Sequence, residues 1–143
     1  MTAASLSKTA TALVVGVVLL TAASPRSLRA QQQEEAPLPL QFWHVGDDAL
    51  SQKLAKEIYV ALSHESAFIP SVGKQPRSLL VELPANVSLK KVGKRTKVTY
   101  TVNYSNADNQ RISSHDGSCP ETQLSACAEQ IVRGARIAAR KVK

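Results

Sequence analysis

The chain has 143 residues, enough for one domain with a core of its own. Eighteen Lys and Arg against eleven Asp and Glu give a net charge of +7, which favours anionic partners. An aromatic content of 4% leaves very few rings from which to build a sugar- or nucleobase-stacking platform, and six glycines without a glycine-rich loop exclude a phosphate-cradling motif.

Residues 1–30 read as a secretory signal. Lys8 supplies the positive start, Thr9 to Ala23 runs apolar without a charge, and Thr21, Ala22, Ala23 and Ser24 form the small-residue exit. The apolar run is about fifteen residues, short of the roughly twenty that a bilayer core requires. Cleavage is expected after Ala23, Ser24 or Ala30, and no Cys lies there to carry a lipid. Removal takes Lys8, Arg26 and Arg29 from the eighteen basic residues, leaving fifteen against eleven acids, a net +4. The mature chain is expected to be periplasmic or secreted.

Residues 31–41, Gln-rich and then punctuated by Pro37 and Pro39, read as a flexible leader, with a single folded domain over 42–143. Phe42, Trp43 and Val45 form its entry strand or a hydrophobic clip. Asp47 or Asp48 is suited to cap a helix in which Leu50, Leu54, Ile58 and Leu62 recur every four residues, ending near Ser63–His64. Phe68 and Ile69 before Pro70 predict a short edge strand. From Leu79 to Leu89 the odd positions are apolar, the two-residue period of a half-buried strand, and Val98, Tyr100, Val102 and Tyr104 repeat it. The stretch between, Lys90 to Thr96, predicts a charged hairpin tip. Arg111 to His115 is expected as a third strand that Gly117 ends. Leu124, Ala128, Ile131, Ala135, Ala138 and Val142 then recur at three- and four-residue steps, a second amphipathic helix.

Cys119 and Cys127, an even pair in an exported chain, predict a disulfide. Within one helix they would lie about 12 Å apart along the axis, beyond the roughly 7 Å that a bridge allows. The bond therefore places Cys119 in the extended approach and starts the helix near Thr122. The expected fold is a two-layer α+β sandwich: an antiparallel meander of three to four strands, covered on one face by two helices, in the order α-β-β-β-α.

No constellation for chemistry emerges. His44, His64 and His115 lack ligand spacing, so neither a metal nor a cofactor is expected. A hydrolase would have to draw on Ser113, Ser114 or Ser118 with His115 and Asp116, without a Gly-x-Ser-x-Gly elbow. Asp47, Asp48, Glu57, Glu65 and Glu82 read as caps and solvated faces. Asn86 and Asn103 match the glycosylation acceptor pattern. Two basic clusters stand out: Lys90, Lys91, Lys94, Arg95 and Lys97 at the hairpin, and Arg133, Arg136, Arg140, Lys141 and Lys143 on and after the last helix. They read either as contacts to an anionic envelope surface or as solvated charge, with hairpin lysines also blocking edge-to-edge strand pairing. Export argues against nucleic acid, and membrane contact is expected to be peripheral at most.

The succession Asp48-Ala49-Leu50, Leu54, Ile58, Leu62, then Ser66-Ala67-Phe68, an alternating strand pair and a Cys119…Cys127-Ala128 helix resembles small bacterial exported proteins of unknown function. More distantly it resembles the α/β amino-terminal domain of the Tol-system protein TolB. The resemblance implies an exported module that binds a partner, and it brings no catalytic residue. The expected function is a non-enzymatic accessory or interaction module of the bacterial envelope or secreted space; the alternatives are a small secreted hydrolase and adhesion through the basic clusters.

Overall fold

A computed structural model describes residues 36–73 and 75–142; the expected signal, residues 1–30, lies outside the described residues. The elements in chain order are β1 (Leu38–His44), α1 (Ala49–Ser63), β2 (Phe68–Pro70), β3 (Leu79–Leu83), β4 (Ser88–Val92), β5 (Arg95–Asn106), β6 (Arg111–Pro120) and α2 (Leu124–Ala139).

Helix α1 forms where its pattern requires. The Asp48 carboxylate accepts from the Leu50 and Ser51 amides, both at 2.9 Å, satisfying two of the donors that open every helix. The same hydrogen bonds, led by that from the Ser51 hydroxyl, hold the Asp48 carboxyl below its ordinary value. Leu54, Ala55, Ile58 and Leu62 are buried. Ser51 is buried too, and its hydroxyl also accepts the Val87 amide at 2.9 Å, which ties the start of α1 to the loop between β3 and β4.

The sheet departs from the expected meander. It has six strands, and β1 pairs in parallel with both β2 and β3, while β3, β4 and β6 are antiparallel to β5. The α+β class stands, but the antiparallel order α-β-β-β-α does not. Strand β1 takes in Phe42 and Trp43 of the expected entry strand but begins at Leu38, inside the expected leader. With a strand ahead of α1, the helix becomes a crossover that returns the chain parallel to β1. Pro39 is tolerated because Leu38 N and Leu40 O face β2, so the missing Pro39 donor faces the β3 side, where pairing begins only at Leu40.

The expected continuous strand Leu79–Leu89 is also broken. Asn103 opposes both Glu82 and Ser114, and Val98 opposes both Leu89 and Cys119. Strands β3 and β4 therefore share one edge of β5, with the bend at Pro84–Val87 between them, and β6 takes the other edge. The hairpin tip is tighter than expected, a turn at Gly93–Lys94, so Lys90, Lys91, Arg95 and Lys97 are ladder residues.

Both helices pack on the face that carries Leu79, Val81, Leu83, Val98, Tyr100, Val102 and Tyr104. The two tyrosines fix how closely. Tyr104 reaches α2 and donates to the Ile131 carbonyl at 2.9 Å, over Gly134. Tyr100 lies against Gly117 and donates to Gln130 Oε1 at 3.1 Å. That is why β6 runs through Gly117 to Pro120 instead of ending there: the ring opposite occupies the space a side chain would need. A methyl group at Gly134 would come within 2.7 Å of Tyr104 Cζ and closer still to its hydroxyl.

Helix propensity alone predicts that Gly134→Ala stabilises by about 1 kcal/mol. Overpacking and the strained Tyr104 hydrogen bond outweigh that, and the expected result is a net loss of about 1–3 kcal/mol in denaturant unfolding. A second expectation concerns alkali. Burial pushes the Tyr100 phenol up to about 12, with Arg133 acting weakly the other way, and raises Tyr104 as well. Phenols raised in the folded state contribute stability that is complete below the unfolded value of about 10 and is lost as pH climbs past it. Phenolate absorbance from these two rings should therefore appear together with the loss of tertiary structure near pH 12. Ionisation of Tyr100 and Tyr104 at the ordinary phenol value in the folded protein would contradict it.

Candidate functional site

Cys119 and Cys127 are bonded, with Cα atoms 5.4 Å apart, and both are buried. Cys119 lies opposite Val98 near the end of β6, and Cys127 lies in the first turn of α2, which starts at Leu124, two residues later than expected. The bond staples the outermost strand to the helix that covers it.

The elements of a hydrolase are not brought together. His115 opposes Val102 and Asp116 opposes Thr101, so the two adjacent side chains point to opposite faces of β6. Asp116 accepts the Thr101 hydroxyl at 2.6 Å, and Ser114 donates to Asn103 at 2.8 Å. No serine hydroxyl is hydrogen-bonded to His115 among the described residues. Three of the five candidate carboxylates have structural partners: Asp48 caps α1, Asp47 accepts from Asn86, and Glu65 pairs with Arg136. Among the described residues no three His, Cys, Asp or Glu side chains are grouped to hold a metal. Asn103 is 5% exposed beneath Ser114, which leaves Asn86 as the accessible acceptor of the two.

The basic clusters are separated. The first lies on the β4–β5 hairpin. Lys90 opposes Lys97 and Val92 opposes Arg95, so Lys90, Lys97, Arg95 and Val92 share the face that the helices leave uncovered, with Lys94 at the turn. Lys91 is on the other face beside Leu89. Like charges directly opposite one another disfavour the ladder. β4 is exposed along its length, and Leu89 and Val92 are 54% and 48% exposed. The second cluster follows α2. Arg133, Arg136 and Arg140 lie on its outward side, Lys141 just beyond, and Lys143 outside the described residues. Arg136 Nε donates to Glu65 at 2.8 Å. Arg95 begins β5, while Arg140 borders the region near Asn106 at its end, so about 36 Å of strand at roughly 3.3 Å per residue lies between the hairpin and the Arg140 end of the second cluster, with Arg133 nearer, beside Tyr100.

Two further residues are exposed. Trp43, expected in an entry strand or hydrophobic clip, projects from β1 and is 62% exposed, and the other carries no sequence signal. Arg77, in the loop between β2 and β3, lines a cavity of about 220 Å³ with Arg136 and Arg140.

No protein-family model and no curated protein matches the chain, so the likeness to the TolB amino-terminal domain rests on the residues that suggested it. Among solved structures, the chain is similar to a minor lipoprotein from Acinetobacter baumannii. The TM-score is 0.50 at 15% identity, covering 74% of this chain and 96% of that one. At that identity the likeness is one of fold.

Closing the short Cys119–Cys127 loop restricts the unfolded chain by about 2.5 kcal/mol. Cys119→Ala with Cys127→Ala is expected to lower unfolding free energy by roughly that amount while the fold is kept. No change in denaturant midpoint between oxidised and reduced protein would contradict it.

Proposed function

We propose that the chain is an exported, non-catalytic module of the bacterial envelope that docks peripherally on an anionic lipid surface through the β4–β5 hairpin. The apolar leader at residues 9–23 and the Cys119–Cys127 bond support export, since disulfides persist in oxidising compartments. The fold shared with a bacterial minor lipoprotein is compatible with an envelope setting.

The hairpin itself carries the reading. Lysines on a free edge strand serve to block strand addition, but that role needs no exposed apolar side chains. Leu89 beside Lys91 on one face of the hairpin and Val92 beside Lys90 and Arg95 on the other are both about half exposed, so the end of the hairpin, with Lys94 at its turn, favours a surface that offers negative charge and an apolar phase together. An anionic polymer offers only the first.

Each Lys or Arg near an anionic bilayer contributes about 1 kcal/mol. The exported protein, its mass showing loss of the leader, should sediment with vesicles rich in anionic lipid and not with neutral ones. Binding should weaken steeply from low to moderate salt. Changing Lys90, Lys91, Lys94 and Arg95 to Gln is expected to reduce it at least a hundredfold, and Leu89→Ser with Val92→Ser about tenfold. Binding indifferent to lipid charge, or to these six side chains, would overturn the proposal.

A further inference from the structure

At the opposite end of β5 from the hairpin, the start of β1, the start of β2, the β2–β3 loop and the end of α2 enclose a cavity of about 220 Å³. Its wall is divided chemically. Leu38, Phe68 and Val142 supply an apolar side, and Arg77, Arg136 and Arg140 line the rest. Three arginines from two elements about sixty residues apart in the chain thus line one cavity. Arg136 is held by Glu65, but neither Arg77 nor Arg140 has a carboxylate partner among the described residues. Asp108 lines an adjoining hollow with Arg77 and does not pair with it.

Arg140 at the end of α2 has an ordinary explanation, since a cation there complements the helix dipole. Arg77 is at no helix end: it is the third residue of the turn Gln75–Ser78, closed by Ser78 N donating to the Gln75 carbonyl at 3.2 Å, and that position after Pro76 takes a left-handed backbone, here with φ at 58°, which an arginine adopts less readily than glycine. Three arginines line the one cavity and only Arg136 has a carboxylate partner among the described residues, so like charges are left facing the same space, and an anion there offsets their repulsion.

We infer that this cavity binds a small aliphatic carboxylate, its head group between Arg77 and Arg140 and its chain against Leu38, Phe68 and Val142. The volume is below the roughly 300–1,000 Å³ of pockets for drug-sized ligands, which limits the occupant to a short acyl chain. Guanidinium forks suit a carboxylate in two-point contact, and the apolar wall discriminates against small hydrophilic anions.

The test uses octanoate as probe, with acetate and octanol as controls that each lack one half of the recognised chemistry. Titration of the purified full protein, followed by calorimetry and by backbone amide shifts, should show saturable octanoate binding that perturbs Arg77, Arg140 and Val142. Acetate and octanol should each bind at least about tenfold more weakly, the scale of one charge-assisted hydrogen bond or a few buried methylenes. Arg140→Gln should weaken octanoate about tenfold or more. Arg77→Gly removes the guanidinium and relieves the backbone, so it should weaken binding similarly while the melting temperature holds or rises. Octanol binding as tightly as octanoate, unchanged affinity in both variants, shifts confined to other regions, or no saturable binding would overturn the assignment. A marked fall in melting temperature for Arg77→Gly would overturn it too, because Arg77 would then be structural.

Discussion

Strand β5 pairs with three others, β3 and β4 along one edge and β6 along the other, and its inward row must meet a helix without a gap. Two of the four inward positions are tyrosines, each needing more depth than the valines beside it. The depth comes from absent side chains: Gly117 on the neighbouring strand under Tyr100, and Gly134 on α2 under Tyr104. A glycine inside a helix costs about 1 kcal/mol relative to alanine, and one inside a strand forgoes cross-strand packing. Both costs are offset because the rings bury a large apolar area and keep their hydroxyls bonded, Tyr104 to the Ile131 carbonyl and Tyr100 to Gln130. The distance between α2 and the sheet, and with it the place of Arg136 and Arg140, follows from these two contacts.

The disulfide and the Ser51 hydroxyl secure what the tyrosines position. Cys119–Cys127 closes the turn from β6 to α2 on the outer side of the sheet. Ser51 on α1 accepts the Val87 amide, a buried donor at the point where the β3–β4 edge bends and has no strand to pair with. One polar side chain thus lets a single edge of β5 be shared by two short strands. Without it the bend would leave an unsatisfied buried amide, a cost of about 1–3 kcal/mol.

What the sequence made legible follows the same physics. Helix α1 declared itself because its period, its cap and its burial agree, and β5 because one face is fully covered. The first half of strand β1 was hidden, though Phe42 and Trp43 were legible as an entry strand: Pro37 and Pro39 mimic a leader, and the reason Pro39 is harmless is a register known only from the sheet. The β3–β4 break was hidden because Pro84 to Val87 keeps the parity of the alternation through the bend. Strand β6 looked shorter than it is because its polar residues face solvent on an edge and its glycine serves the opposite ring. Of the candidate site, the cations were visible as clusters, but the separation of the clusters along β5 was not. Arg77 belongs to no periodic segment, so nothing short of the folded chain could associate it with Arg136 and Arg140.

That separation constrains how the two proposed contacts work together. A hairpin docked tip-first on a membrane, with β5 standing away from the surface, would hold the Arg77–Arg140 cavity at the far end of β5, about 36 Å of strand from Arg95. Surface charge is screened over about 8–10 Å at physiological salt, so the membrane neither competes for those arginines nor repels an anion approaching them. A carboxylate that reaches the cavity in the docked protein must therefore arrive from the aqueous side and not from the bilayer beneath. The membrane contact and the ligand contact would be independent in energy and separable by mutation. Such independence is what a module holding one small acidic ligand above a surface requires.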